Sequence, residues 1–282
     1  MKTKTNLLAA VCLAFCCLTA NARLVNCGSH SHSKDENTCH LFSAVEQERV
    51  RLRDSILTNT SCARIAEKTL LISRLRAKND GKTDCRAAFA KAIRKASAMK
   101  GAKIVVPAGT YYIKGPIVLA SNVCIELQKG ATLKFAPEEK YYPVVSITNS
   151  PFWCVHLLKS ENIICRNLRY DAKLMNNDGI DPECSRNVLI EGVEFNNGDD
   201  NVAIKSGRDN DGWNAKMPSE NIIIRNCHFK GLHAVVIGSE MSAGVRNVIV
   251  EDCDYAGYCK RGIFIKTNPD RGGFAENVYV KN

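Results

Sequence analysis

The feature that most constrains the fold of this chain is a phrase that is repeated through its second half. An asparagine, three mostly apolar residues and then polar residues recur five times, at intervals of 25, 34, 26 and 30 residues. The asparagines are Asn162, Asn187, Asn221, Asn247 and Asn277. A second short apolar segment follows each of the first four, at 179–180, 202–204, 235–237 and 263–265. One such unit cannot bury its apolar face alone, so neighbouring units stack into a continuous core.

The repeat predicts an all-β fold, a single-stranded right-handed parallel β-helix. Nothing helical separates the strands, which argues against a doubly wound α/β sheet. Asparagines that recur at one turn are expected to stack as a structural ladder. Upstream, Asp84 is expected to cap a short helix at the N-terminal end, whose apolar face is Ala88, Phe89, Ala92, Ile93 and Ala96. Short strands are predicted between turn residues at 104–106, 111–113, 117–119 and 123–125.

The N-terminus has the pattern of a secretory signal. Lys2 and Lys4 precede an apolar run over residues 7–18, and Ala20-Asn21-Ala22 provides a small-residue cleavage site. We therefore expect a signal peptide over 1–22, cleavage after Ala22, and a secreted or periplasmic protein. No other stretch is long and apolar enough to span a bilayer. The remaining chain divides into a basic segment over 23–77, with one helix from residue 44 to about 57, and a β-helical domain over 78–282.

The net charge and the cysteines indicate which partners and metal sites to expect. The formal net charge of +10 includes the two signal lysines, so processing leaves +8, which favours an anionic partner. The 14 cysteines include three in the signal, and most of the others are expected to be small buried core residues. Those in or beside apolar strand patterns are Cys124, Cys165, Cys184, Cys227 and Cys253. The cluster Cys27, His30, His32, Cys39 and His40 fits no standard zinc-finger spacing, so we expect an irregular loop and no metal.

Stacking the second strands brings chemical groups into one column. When the coils are aligned on their inward residues, the positions two residues earlier are Asp178, Asp200, His233 and Arg261. Asp199 adjoins Asp200, and Lys205 and Lys266 lie at the far ends of their strands. Coils in a parallel sheet are about 4.8 Å apart, so repulsion raises the pKa of one carboxyl group. The Asn177-Asp178-Gly179 and Gly198-Asp199-Asp200 triplets are each compatible with a plain turn. It is their common register that predicts a catalytic site.

Four ordered blocks resemble the signatures of glycoside hydrolase family 28, the polygalacturonases and their relatives. The blocks are residues 176–181, 198–207, 233–240 and 261–267, and the resemblance extends from about residue 79 to 282. It implies inverting hydrolysis of the α-1,4-linked galacturonic acid of pectin. It also implies an acidic polysaccharide as the partner, no cofactor, no metal, no nucleic acid, and a monomeric enzyme.

The resemblance also implies roles for individual residues. Asp199 would be the general acid, and Asp178 and Asp200 would hold and deprotonate the attacking water. His233 would support the acid, and Lys266 would meet the uronate carboxylate. Lys205 and Arg261 are further candidates for binding the substrate. Phe264 stands where the family pattern has a sugar-binding arginine.

Two other functions remain open at this point. The chain is shortened relative to the family pattern between residues 145 and 149 and after 282, so an inactive remnant that binds acidic glycan is the first alternative. A β-helical lyase that requires Ca²⁺ is the second. Endo or exo action, and the kind of galacturonan, depend on loops that the sequence does not specify.

Overall fold

The computed structural model describes residues 8–10, 36–61, 67–136 and 153–281, and the side chains within 43–60, 67–136 and 153–281. The predicted cleavage site at Ala22, the residues Cys27, His30 and His32, and the shortened region at 145–149 lie outside the described residues. The chain divides into two compact units. The larger unit comprises residues 1–62 and 153–282, and the central unit comprises residues 63–152. Among the described residues, no helix is long and apolar enough to cross a membrane.

The described secondary structure consists mostly of short strands. The helices are α1 (Glu36–Ser61), α2 (Arg86–Ala98) and α3 (Asn210–Ala215), and 3₁₀ turns cover Ile72–Leu75 and Pro269–Arg271. The strands are β1 (Leu8–Ala10), β2 (Thr69–Leu71), β3 (Asp80–Asp84), β4 (Ala102–Val106), β5 (Gly109–Ile113), β6 (Val123–Leu127), β7 (Ala131–Phe135), β8 (Val155–Leu158), β9 (Glu161–Arg166), β10 (Ile180–Glu183), β11 (Arg186–Glu191), β12 (Asp200–Ile204), β13 (Ser219–Arg225), β14 (His228–Phe229), β15 (His233–Gly238), β16 (Val245–Glu251), β17 (Asp254–Tyr255), β18 (Arg261–Lys266) and β19 (Ala275–Lys281).

The larger unit is a parallel β-helix. One sheet has the strand order β19-β16-β13-β11-β9, with β1 added antiparallel at its end, and the other has the order β18-β15-β12-β10-β8. Each coil gives one strand to each sheet, and the pairing between coils is parallel. Inward apolar residues of both sheets form one core. The fold predicted from the repeat is therefore confirmed. Strand β1 lies within the predicted signal peptide.

The asparagines of the repeat form the predicted ladder. Each of the five has a positive φ between 52° and 59°, a backbone conformation that asparagine tolerates better than most residues. The side-chain Nδ2 of each of the last four donates to Oδ1 of the asparagine one coil earlier, at 2.8–3.0 Å. The ladder satisfies amide groups at the turn and holds the coils in register.

The central unit contains two parallel three-stranded sheets, β2-β4-β6 and β3-β5-β7, against which α2 packs. The five apolar residues predicted for the inner face of this helix are the ones that it buries. Asp84 is the last residue of β3, and its Oδ1 accepts hydrogen bonds from the backbone N–H of Arg86 and of Lys114, both at 3.0 Å. The N-cap position itself is Cys85.

Two expectations for the central unit were wrong in detail. Residues 117–119 are not a strand, and the side chains of Val118 and Leu119 are 76% and 54% exposed. Gly115 has a φ of 113°, and Pro116 has no N–H to give to a ladder, so the chain passes through a loop there. The strands also begin earlier than residue 78, since β2 pairs with β4.

Helix α1 belongs to the larger unit and is longer at both ends than the helix predicted in the basic segment. It covers an outward apolar stripe of the β-helix, formed by Leu189, Ile223, Ile249 and Tyr279. A buried ion pair between Arg49 of the helix and Glu251 of β16 fixes it there. Because Cys39 and His40 lie within α1, the predicted irregular loop is wrong for these two residues. The eight cysteines whose side chains are described are all free thiols, and five of them are buried.

Candidate active site

The strands of the β18-β15-β12-β10-β8 sheet align the predicted site residues. Ile180, Val202, Val235 and Ile263 are in register across four coils. The register also pairs Asp200 with His233 and His233 with Arg261. Asp178 lies two residues before Ile180, so the column has the order that the sequence predicts.

Two glycines lie next to the site aspartates, at positions where a side chain would not fit. At Gly179, an added Cβ would collide with the backbone oxygen of Asn201 and with the ring of Phe195. At Gly198, an added Cβ would collide with the backbone of Leu174. Asp178 therefore precedes a glycine and Asp199 follows one, because the turns between coils are too tight there for a side chain.

Asp200, His233 and Arg261 form one hydrogen-bonded chain. His233 Nδ1 lies 2.7 Å from Asp200 Oδ1, and both side chains are almost fully buried. Arg261 Nη1 lies 3.1 Å from His233 Nε2. Because a guanidinium has only donors, Nε2 must accept, so the neutral imidazole carries its proton on Nδ1 and donates it to Asp200. The guanidinium also lies 4.4 Å from the centre of the Phe264 ring.

Asp199 has a different environment from Asp200. Its side chain is half-buried, and burial together with the neighbouring Asp200 carboxylate raises the pKa of Asp199, against the opposing charge of Lys266. Lys266 Nζ is 3.8 Å from Asp200 Oδ2, and its side chain is 42% exposed. The environment of Asp199 thus favours its acid form. The adjacent Asp200 instead accepts a hydrogen bond from His233 and lies near the ammonium group of Lys266.

Asp178 is buried beside a second carboxyl group and a lysine. Burial raises the pKa of Asp178 to about 6, with Lys205 acting in the opposite direction and Asp200 in the same direction. Burial and the negative charge of Asp178 raise the pKa of Asp181 well above its usual range. Asp178 therefore titrates at about pH 6, and the environment of Asp181 favours the acid form.

Lys205 was predicted to bind substrate, but the structure surrounds its ammonium group with protein. Its Nζ lies 3.0 Å from Glu240 Oε2, 3.6 Å from Asp178 Oδ2 and 3.7 Å from Asp181 Oδ1. It also lies 4.4 Å from the centre of the Trp153 ring, and the lysine side chain is only 5% exposed. The charge of Lys205 is balanced inside the site.

Asp181, Glu240 and Trp153 are site residues for which no role was predicted. Asp181 follows the inward Ile180, so the alternation of a strand turns it away from the apolar core, yet it is fully buried. A charged residue inside such a strand, three positions after a candidate aspartate, is the signal that would have singled it out. Glu240 lies in the turn after β15, and its distance from Lys205 depends on turns that periodicity does not describe.

One group of side chains has the spacing needed to hold a metal ion. Ligand atoms of Asp199, Asp200 and His233 all lie within 4.8 Å of one another, the single such group in the described chain. Both ring nitrogens of His233 are already engaged by Asp200 and Arg261. An ion would have to displace one of these contacts, and the absence of a metal stays a prediction.

The sequence profile of Glycosyl hydrolases family 28 matches residues 57–282. The match includes every residue of the candidate site, and it covers well over half of the chain. This protein belongs to that family.

Individual relatives agree with this assignment. A probable polygalacturonase from Vitis vinifera is 38% identical over 141 residues, which are 49% of this chain and 28% of that protein. An endo-polygalacturonase from Pectobacterium carotovorum is 32% identical over 140 residues, 49% of this chain and 33% of that protein. The crystal structure of an exopolygalacturonase from Thermotoga maritima superposes with a TM-score of 0.69 at 28% identity, over 81% of this chain and 75% of that one. The match to each of these two sequence relatives spans a third or less of the relative's own length.

Proposed function

We propose that this protein hydrolyses α-1,4-galacturonosidic bonds of pectin or polygalacturonate by an inverting general acid/base reaction, without a cofactor. The observation that supports it best is the difference between Asp199 and Asp200. The pKa of Asp199 is raised by burial and by its neighbour, which favours the protonated form that a general acid requires. Asp200 accepts a hydrogen bond from His233 and faces Lys266. The two roles that glycoside hydrolysis requires are assigned to neighbouring groups.

In this mechanism Asp199 protonates the glycosidic oxygen as the bond to the leaving sugar breaks. Asp178 and Asp200 hold a water molecule on the opposite face of the sugar and take its proton as it attacks the anomeric carbon. His233 keeps Asp200 oriented, because its Nδ1 proton is fixed by the contact that Arg261 makes with Nε2. Displacement from the opposite face inverts the configuration, so the first product is the β-anomer.

The positive side chains of the site suit a uronate substrate. Lys266 is partly exposed beside Asp200, and Arg261 lies one coil beyond His233. We assign Lys266 to the substrate carboxylate, where a charge-assisted hydrogen bond forms. Arg261 would bind the substrate in addition to its contact with His233. Its guanidinium lies next to Phe264, the residue that replaces the arginine of the family pattern.

The test is a product analysis of polygalacturonate incubated with the purified protein. Saturated products that carry new reducing ends, with the β-anomer first in proton NMR, support inverting hydrolysis. Monomer alone indicates exo attack, and a ladder of oligomers indicates endo attack. Unsaturated, ultraviolet-absorbing products that depend on Ca²⁺ would show a lyase instead.

One observation favours a second function, the binding of acidic glycan without cleavage. Phe264 occupies the position where the family resemblance places a sugar-binding arginine, and the nearby Arg261 is engaged by His233. Retention of polygalacturonate on the immobilised protein, with no product after long incubation, would support this function over hydrolysis.

Export is the localisation that we propose, on the basis of the N-terminal pattern around Lys2, Lys4 and Ala22. Cleavage after Ala22 would remove strand β1 and release the protein outside the cytoplasm, where we propose that it is a monomer. Intact mass of the protein recovered from the medium or the periplasm tests the cleavage site. A mass that includes residues 1–22 would contradict it.

A further inference from the structure

The ammonium group of Lys205 is held by partners from three coils. Asp178 and Asp181 come from the coil of β10, Glu240 follows β15, and Lys205 itself follows β12. Trp153, just before β8, places the face of its ring 4.4 Å from Nζ. An almost fully buried lysine is rare in proteins unless it is paired, and here the pairing reaches a candidate catalytic residue.

The charges of this cluster are arranged so that Lys205 can stay charged. Burial opposes the charge on Lys205, but Asp181, Glu240 and Asp178 together raise its pKa. Burial likewise opposes the charge on Glu240, yet Lys205 and the Ser239 hydroxyl bring the pKa of Glu240 down to about 2. Lys205 and Glu240 therefore form an ion pair, and the ammonium group of Lys205 also lies near Asp178 and Asp181.

Asp181 completes the cluster as a neutral acid. Neither of its oxygens has a hydrogen-bond donor among the described residues, and its side chain has no exposed surface. An ionised carboxylate in that state would be costly, and burial together with the charge of Asp178 raises the pKa of Asp181 well above its usual range, which favours its neutral form. Asp178 is then the carboxylate of this pair on which the attraction of Lys205 acts.

We propose that Lys205, clamped by Glu240, is a positioning residue that holds Asp178 in place and in its charged form, rather than a residue that touches the substrate. This inference rests on the proposed function, in which Asp178 activates water. The Lys205 side chain is only 5% exposed and its ammonium group is surrounded by Glu240, Asp178 and Asp181, so we infer that it acts on the water through the Asp178 carboxylate. Other titratable groups that face the cluster are Cys154, Tyr170, His156, Glu183, Asp199 and Asp200, and Lys266 lies beyond Asp200.

The experiment compares Lys205→Met, Glu240→Gln and the double variant in the full chain, with the exposed Lys216→Met as a charge-matched control. The pH profile of kcat/KM on polygalacturonate is measured for each. Loss of the cation makes Asp178 harder to ionise, so the acidic limb moves up by about one pH unit in Lys205→Met and in the double variant. Loss of Glu240 alone leaves the cation uncompensated, so the limb moves down. Lys216→Met leaves the limb where it is.

A second measurement separates this inference from the proposed function. The ¹³C NMR titration of aspartate carboxyls, with Asp178 assigned by its loss in Asp178→Asn, follows the same midpoint without any substrate. Opposite shifts in Lys205→Met and Glu240→Gln support the inference even in a protein that cleaves nothing. An unchanged midpoint overturns it even in an active enzyme. The double variant and Glu240→Gln decide the question if Lys205→Met alone does not fold, since neither leaves a buried charge unpaired on Glu240.

Discussion

Asp200 and His233 lie directly opposite each other in adjacent coils, with Oδ1 and Nδ1 2.7 Å apart. The parallel register of β12 and β15 creates this contact, and Arg261, one coil further on, fixes the proton of the imidazole. Solenoid stacking thus turns three residues that are far apart in the sequence into one hydrogen-bonded chain.

Removal of the guanidinium should disturb this chain. In Arg261→Met, Nε2 of His233 loses its donor, so the imidazole is free to change its tautomer and to release Asp200. We expect kcat/KM on polygalacturonate to fall by about 100-fold, the scale of a misplaced acid/base group. Arg208→Met, which removes an exposed arginine, is the control. Equal loss in both variants, or none in Arg261→Met, would contradict the role of Arg261.

Stability should depend on pH through Asp178. The pKa of this group is raised to about 6 in the folded protein, so the folded state binds the proton more tightly than the unfolded state does. Its contribution is fully present below its ordinary pKa of 3.8 and is lost as the pH rises through about 6. The loss is about 2 to 3 kcal/mol of unfolding free energy. Urea unfolding from pH 3.5 to 7 should show this slope in the wild type, and a smaller slope in Asp178→Asn.

The asparagine ladder should be worth a measurable share of stability. Asn221 donates to Asn187 and accepts from Asn247, and its φ is 59°. Asn221→Ala loses both hydrogen bonds and strains the backbone, which should cost about 3 kcal/mol. Asn221→Gly relieves the strain and should cost about 2 kcal/mol. Denaturation curves in which alanine is no worse than glycine would mean that the backbone conformation contributes nothing.

Lys266 should control substrate affinity. Its ammonium is partly exposed beside Asp200, where a uronate carboxylate can reach it. Lys266→Met should raise KM for polygalacturonate by about tenfold or more, since a hydrogen bond between charged groups is lost. Lys260→Met removes an exposed lysine nearby in the chain and should leave KM unchanged. A fall in kcat with no change in KM in Lys266→Met would contradict a role in binding and indicate a role in catalysis.

Periodicity was enough to predict the β-helix and the alignment of the column. The inward residues Ile180, Val202, Val235 and Ile263 repeat once per coil, and a parallel sheet converts that repeat into register. The same repeat predicts the asparagine ladder.

Contacts made through turns could not be predicted in this way. Glu240 meets Lys205 because the turn after β15 returns to the end of β12, where the backbone N–H of Ser206 donates to the carbonyl of Glu240. Turn length and direction vary from coil to coil, so no repeat encodes them. For the same reason residues 117–119, apolar enough for a strand, are a loop after Gly115 and Pro116.

In the proposed mechanism Asp199 gives its proton to the glycosidic oxygen. The most direct measurement is the initial rate of reducing-end release from polygalacturonate by Asp199→Asn, beside the wild type and the exposed control Asp211→Asn. We predict a loss of at least about 100-fold in Asp199→Asn, with Asp211→Asn at the wild-type rate. Circular dichroism confirms that each variant is folded. Wild-type activity in a folded Asp199→Asn protein would contradict the account.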